Sequence, residues 1–163
     1  MGNRDKDIIK ISDKLNQGPE SVQVSAPTCG RNPGDITLPA VSKTQTSDAI
    51  SEAYKAGQRH FGENYLQEAL DKINSLHALE ISWHFIGHIQ SNKSRAVAEN
   101  FTWIHTVDRL KLAQKLSEYR PPNLPKIQVC IQVNIDSQES KKGCAASDAI
   151  ALAGFVRALP NLQ

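Results

Sequence analysis

The sequence predicts an α/β protein with a parallel sheet. Short apolar, β-branched or aromatic runs alternate with helical periodicities five times between residues 36 and 163. A helix separates each run from the next, so consecutive strands should lie parallel and be joined by right-handed crossovers. The longest run, "KIQVCIQVNI", alternates strictly. Ile127, Val129, Ile131, Val133 and Ile135 share one face; Gln128, Cys130, Gln132 and Asn134 share the other. A polar row of this kind is easier to satisfy on the inward face of a barrel than in an open sheet covered by helices on both sides. The fold expected is therefore a partial (β/α)8 TIM barrel of about five β/α units.

Residues 1–35 read as a helical and irregular lead-in, and residues 36–163 as the barrel domain. In the lead-in, "DKDIIKISDKL" places Ile8, Ile9, Ile11 and Leu15 near helical spacing. Gly18, Pro19, Pro27, Gly30, Pro33 and Gly34 then break any long helix, and "NPGD" makes a turn. The first unit pairs a strand "ITLPAVSK" with a helix "SDAISEAYKAG", with Ser47 as its N-cap. The next units pair "RHFGEN" with "YLQEALDKINSL" and "SWHFIGH" with "SNKSRAVAEN". "TWIHTVD" follows with "RLKLAQKLSEY", capped by Asp108. "KIQVCIQVNI" closes the series with "SDAIALAGFVRAL", capped by Ser147. Pro39 removes a ladder donor from the first strand.

Composition narrows the function. At 163 residues, with 39% hydrophobic and 22% charged side chains, the chain can bury one ordinary core. A net charge of +2 makes no case for nucleic acid or a membrane surface. No apolar run approaches the ~20 residues that span a bilayer, and the N-terminus has no signal-peptide core. Cys29, Cys130 and Cys144 have neither metal nor redox spacing, so reduced thiols in a cytoplasmic protein are expected.

Several residues carry candidate chemistry. Lys43 ends the first strand, at the edge where functional residues of α/β proteins concentrate. It reads either as a solvated strand end or as an amine that, when neutral, attacks an aldehyde. Asn64 ends "FGEN". With Gln67 three residues on, it resembles a capping box, or else its amide faces a ligand at the same rim. His84 and His88 fall four apart near the third strand. No third metal ligand is close, so no metal site is expected. His84 reads either as an ordinary core or rim histidine or as an imidazole turned into the interior to stack on a planar ring. His60, His77 and His105 have no comparable context. "SNKSR" and "ESKKG" are basic loops that read either as anion sites or as solvated turns, and neither matches a nucleotide fingerprint.

The strings "AVSKTQ", "FGENYLQEALDKI", "WHFIGHIQSNKSR", "HTVDRLKLAQKL" and "QVNI", with "CGR" ahead of them, run in order from about Cys29 to Gly143. In them the chain resembles the pyridoxal phosphate homeostasis proteins. The resemblance implies a barrel like the N-terminal domain of alanine racemase, with pyridoxal 5′-phosphate (PLP) as cofactor. It puts the Schiff-base lysine at Lys43, with Asn64, His84 and Asn134 on matching strand ends as further cofactor contacts. It also implies binding and delivery of PLP, with PLP-dependent apoenzymes as recipients, and no established catalysis and no catalytic residue. The family barrel continues for three more strands, which carry the phosphate cup, so this sequence reads as a truncated member. Two alternatives remain at this stage. One is a racemase- or decarboxylase-like PLP enzyme. The other is an open α/β interaction module without cofactor, binding through "SNKSR".

Overall fold

The computed structural model describes Gly18, residues 20–136, Gln138 and residues 140–163. The helix expected over residues 5–15 lies outside them. Helix α1 spans 20–28. Five β/α units follow: β1 (Ala40–Val41) and α2 (Ser47–Lys55), β2 (His60–Glu63) and α3 (Leu66–Ser75), β3 (Ser82–Phe85) and α4 (Ser94–Asn100), β4 (Trp103–Val107) and α5 (Leu110–Tyr119), and β5 (Gln128–Ile131). A small pair, β6 (Val133–Asn134) with β7 (Cys144–Ala145), precedes α6 (Ala149–Arg157).

All neighbours in the main sheet are parallel, and their order is β1-β2-β3-β4-β5. This order separates the two architectures left open above. A doubly wound sheet reverses its strand order at a switch point, whereas a barrel adds each strand beside the last. Here no reversal occurs. Beyond β5, a parallel bridge joins Ile127 to Leu162, with Ile127 N donating to Asn161 O at 2.9 Å and Gln163 N to Ile127 O at 2.8 Å. The final residues thus occupy the next position in the same progression.

The register assigns the two faces of the sheet. Val41, Gly62, His84, Trp103 and Gln128 stand side by side on one, and Phe85, Ile104 and Val129 on the other. The second face is the core side. Phe61, Trp83, Phe85 and Ile104 pack there with Ile50 and Ala53 of α2, Ala69 of α3, Val97 and Ala98 of α4, and Leu112, Ala113 and Leu116 of α5. Each large side chain buried there contributes roughly 1.5–3 kcal/mol. Arg120 is buried at the end of α5. Its Nη1 donates to Ala98 O (2.7 Å) and Phe101 O (2.9 Å), and its Nε to Pro125 O (2.7 Å), so its charge satisfies carbonyls at the end of α4.

Several sequence expectations need correction. The helix passes through Pro27, because in a last turn proline forfeits only one amide bond. The first strand is two residues, not eight, since Pro39 has no amide to pair and the ladder starts after it. Thr46, not Ser47, caps α2: its Oγ1 accepts from Ala49 N at 3.2 Å. Asp108 pairs with Arg109 and leaves α5 without a side-chain cap. Ser147 sits in a 3-10 turn, where its hydroxyl donates to Asp148, and does not cap α6.

The longest predicted strand breaks at Gln132. Its amide N donates to Val107 O (2.9 Å) while its carbonyl accepts from Cys144 N (2.9 Å), so the chain leaves β5 to pair with β7. The apolar alternation ends with it, and Ile135 is 84% exposed. Gly143 is required at this crossing. Its φ is +127°, and a Cβ there would lie 2.6 Å from Asn134 N.

Candidate functional site

Lys43 lies one residue past β1, after Ser42, in a turn closed by Gln45 N donating to Ser42 O at 3.0 Å. The side chain is exposed. Thr44 beside it has φ +64°, a left-handed conformation that a β-branched residue rarely adopts. Such strain persists only where neighbours enforce it. The enforcing contact is Glu68 Oε1, which accepts from Thr44 N at 2.7 Å.

Asn64 follows β2. Its neighbour Tyr65 takes the N-cap position of α3, without a side-chain cap bond, and Gln67 bonds Asp71 (3.2 Å). The capping box read from the sequence is therefore absent here. Asn64 Oδ1 is instead buried with no protein partner. It lines a cavity of 500 Å³ with Tyr65, Gly87, His88 and Lys93 among the walls. Gly87 allows this close approach: a Cβ on it would lie 2.2 Å from Asn64 O.

Asn134, in β6, lines a neighbouring cavity of 510 Å³ with Ile86, His88, Thr106 and Lys142. Its Nδ2 donates to Gln138 O (2.9 Å) and Lys141 O (3.4 Å), while Oδ1 is again buried and unpartnered. Buried polar atoms are seldom left unsatisfied, and each such exception calls for a reason. Both orphans here are acceptors. His88 borders both cavities. Lys43 lines neither.

His84 lies below this rim, 1% exposed. His60 Nδ1 approaches its Nε2 at 3.0 Å, and its Nδ1 approaches His105 Nε2 at 2.9 Å. Its ring stacks on Trp103, with centroids 5.5 Å apart and planes 5° apart. Burial, then the charges of His105 and His60, pushes its pKa down to about 3. Burial also lowers His60 and His105. The three imidazoles thus form a neutral chain. A neutral ring has one donor and one acceptor nitrogen, so the direction of one bond sets the direction of the other. They do not converge on a point, and among the described residues no group of three metal-ligating side chains occurs.

The sequence reading missed His60 and His105. A signal existed: His60 and Gly62 share a face of β2, as Trp103 and His105 share one of β4. Only the strand register brings those faces to His84.

Part of each basic loop is engaged elsewhere, while Lys93 and Lys142 line the two cavities. Arg95 stacks over Tyr119 (4.2 Å) and pairs with Glu99 (3.7 Å), while Ser94 Oγ donates to Ser91 O (2.8 Å). In the second loop Lys141 pairs with Asp136 at 2.7 Å. Glu139 lies outside the described residues. Among the described residues no helix is long and apolar enough to cross a membrane. Burial pushes the Cys130 thiol up, and all three cysteines are free.

Comparison with known proteins gives three concordant results. The family model described as alanine racemase, N-terminal domain, matches residues 36–163. A pyridoxal phosphate homeostasis protein of Pseudomonas aeruginosa is 52% identical over 153 residues, covering 94% of this chain and 66% of the relative. That of Escherichia coli K12 is 49% identical over 156 residues, covering 94% and 67%. Among solved structures, PipY of Synechococcus elongatus with PLP bound superposes with a TM-score of 0.72 at 37% identity, over 87% of this chain and 66% of that one. The chain thus spans about two thirds of the length of the relatives it matches.

Proposed function

The chain belongs to the alanine racemase N-terminal domain family, among the pyridoxal phosphate homeostasis proteins, and from that premise we propose that it holds PLP reversibly on Lys43. The observation that carries this reading is the pair of buried, unpartnered amide oxygens of Asn64 and Asn134. Asn64 follows β2 and Asn134 ends β6, on the rim that Lys43 also occupies. Acceptors without donors suit a ligand that brings hydroxyl or ring N–H groups, and PLP has both kinds of donor.

When bound, PLP would supply an electrophilic aldehyde carbon, and Lys43 is the amine that would hold it covalently and reversibly. Asn64 and Asn134 would orient the ring through their free oxygens. His84, with both nitrogens engaged, would act as a fixed, uncharged floor under the site. These four residues include no anion cradle for the phosphate.

The role proposed is storage and delivery to PLP-dependent apoenzymes without turnover. It rests on the names of the relatives and on the solved PLP complex of PipY. The test is titration of the purified chain with PLP, borohydride reduction and peptide mass mapping. A single reduced adduct on Lys43, saturating near one per chain, is expected. Adducts scattered over surface lysines would overturn the assignment. Turnover of an amino acid by the PLP-loaded chain would replace the carrier role with an enzymatic one.

A further inference from the structure

We propose that Lys72, Glu63 and Glu68 form a buried ionic clamp that positions Lys43, with Lys72 as its centre. The inference rests on Lys43 being the PLP-binding amine. Lys72 lies on the buried face of α3, one turn after Ala69, where an amphipathic helix would normally place an apolar residue. Its side chain is 6% exposed. All three ammonium protons are used: Nζ donates to Ser42 O (2.8 Å), Glu63 Oε1 (2.8 Å) and Glu68 Oε1 (2.6 Å).

The clamp closes on the two residues that flank Lys43. On one side, Ser42 is fixed through every polar atom. Its N donates to Gly62 O (2.9 Å), its Oγ to Glu63 Oε1 (2.6 Å), and its O accepts from Lys72. On the other side, Thr44 is held left-handed by Glu68, which Lys72 in turn anchors. Hydrogen bonds to the Lys72 ammonium and the Thr44 amide hold the Glu68 carboxyl below the usual carboxylate range. Lys43 itself makes no contact in the network. An exposed, many-jointed side chain is thereby mounted on a backbone fixed immediately before and after it. Fixing a nucleophile's base in this way raises the fraction of time it points at its target.

Glu68 is the residue to vary, because it is only part-buried and its loss spares the buried Glu63–Lys72 pair. In Glu68→Ala, trapping of PLP on Lys43 should slow about tenfold, while labelling of the exposed Lys111 stays unchanged. Glu68→Gln keeps an acceptor for the Thr44 amide and should recover to within about threefold of the parent chain. Equal rates in Glu68→Ala and the parent, or a Gln variant as slow as Ala, would overturn the clamp. Hydrogen exchange of the Thr44 amide, measured without PLP, tests the clamp separately from the function. It should speed up in Glu68→Ala and stay near the parent rate in Glu68→Gln; unchanged exchange in both overturns the clamp. A parent chain that gives no Lys43 adduct defeats the proposed function, and the clamp then stands or falls on the exchange rates.

Discussion

The sheet buries a polar cluster on each of its faces, and the two solve the problem in opposite ways. On the core side, Glu63 and Lys72 stay as ion partners and neutralise each other by contact. On the inner face, His60, His84 and His105 share hydrogen bonds as uncharged rings. The first cluster depends on keeping both partners. The second depends on keeping protons away. Mutation should therefore expose the first and acid the second.

The largest effect is expected from Lys72→Met. It removes the partner of a carboxylate that is fully buried and whose second oxygen, Oε2, already has no protein partner. Stranding a buried charge in this way costs about 3–5 kcal/mol. Urea unfolding should show this as a lower midpoint at unchanged slope. A loss below about 1 kcal/mol, the value of a surface pair, would mean the cluster is effectively solvated.

Next comes the pH dependence of the histidine chain. His84 has its pKa lowered from 6.5 to about 3 on folding. Above pH 6.5 it is neutral in both states and contributes no pH dependence. Between pH 6.5 and about 3 the unfolded chain holds the extra proton, so stability falls as pH falls, by about 1.4 kcal/mol per pH unit for one group. His60 and His105, lowered in the same direction, add to the slope. His84→Gln should flatten the stability–pH curve in this window by about one proton's worth. An unchanged slope would show that His84 is not the group that titrates on unfolding.

The two clusters also differ in how far the sequence announced them. The parallel sheet, the five units and the rim position of Lys43 were legible, because alternation and helical spacing are local patterns. Strand order was legible only as a choice between barrel and open sheet, and the inner polar row tilted it correctly. The histidine chain was hidden because it joins residues 21 and 24 positions apart. Each looks unremarkable alone, and register is not written in any one strand. The Lys72 clamp was hidden differently: "YLQEALDKINSL" reads as a helix from its spacing, and nothing in that pattern singles out Lys72. Asn64 shows the converse. Its sequence context suited a cap, yet the helix starts after Tyr65 without one, and the amide oxygen is left free at the rim.

The smallest effect sharpens the contrast most, because it lies where the ionic cluster meets the rim. Thr44 is held at φ +64° by a single hydrogen bond from its amide to Glu68. The left-handed conformation costs an L-residue roughly 1–2 kcal/mol, and glycine adopts it freely while losing about 0.5–1 kcal/mol in chain entropy. Thr44→Gly should therefore stabilise the fold by about 0.5–1 kcal/mol, measured by urea unfolding. The same change makes the turn less dependent on the clamp, since glycine also samples other conformations. If the clamp positions Lys43, this variant should be more stable and yet slower to trap PLP on Lys43. A variant both more stable and equally fast would place the geometry of Lys43 in β1 alone, with no contribution from Lys72.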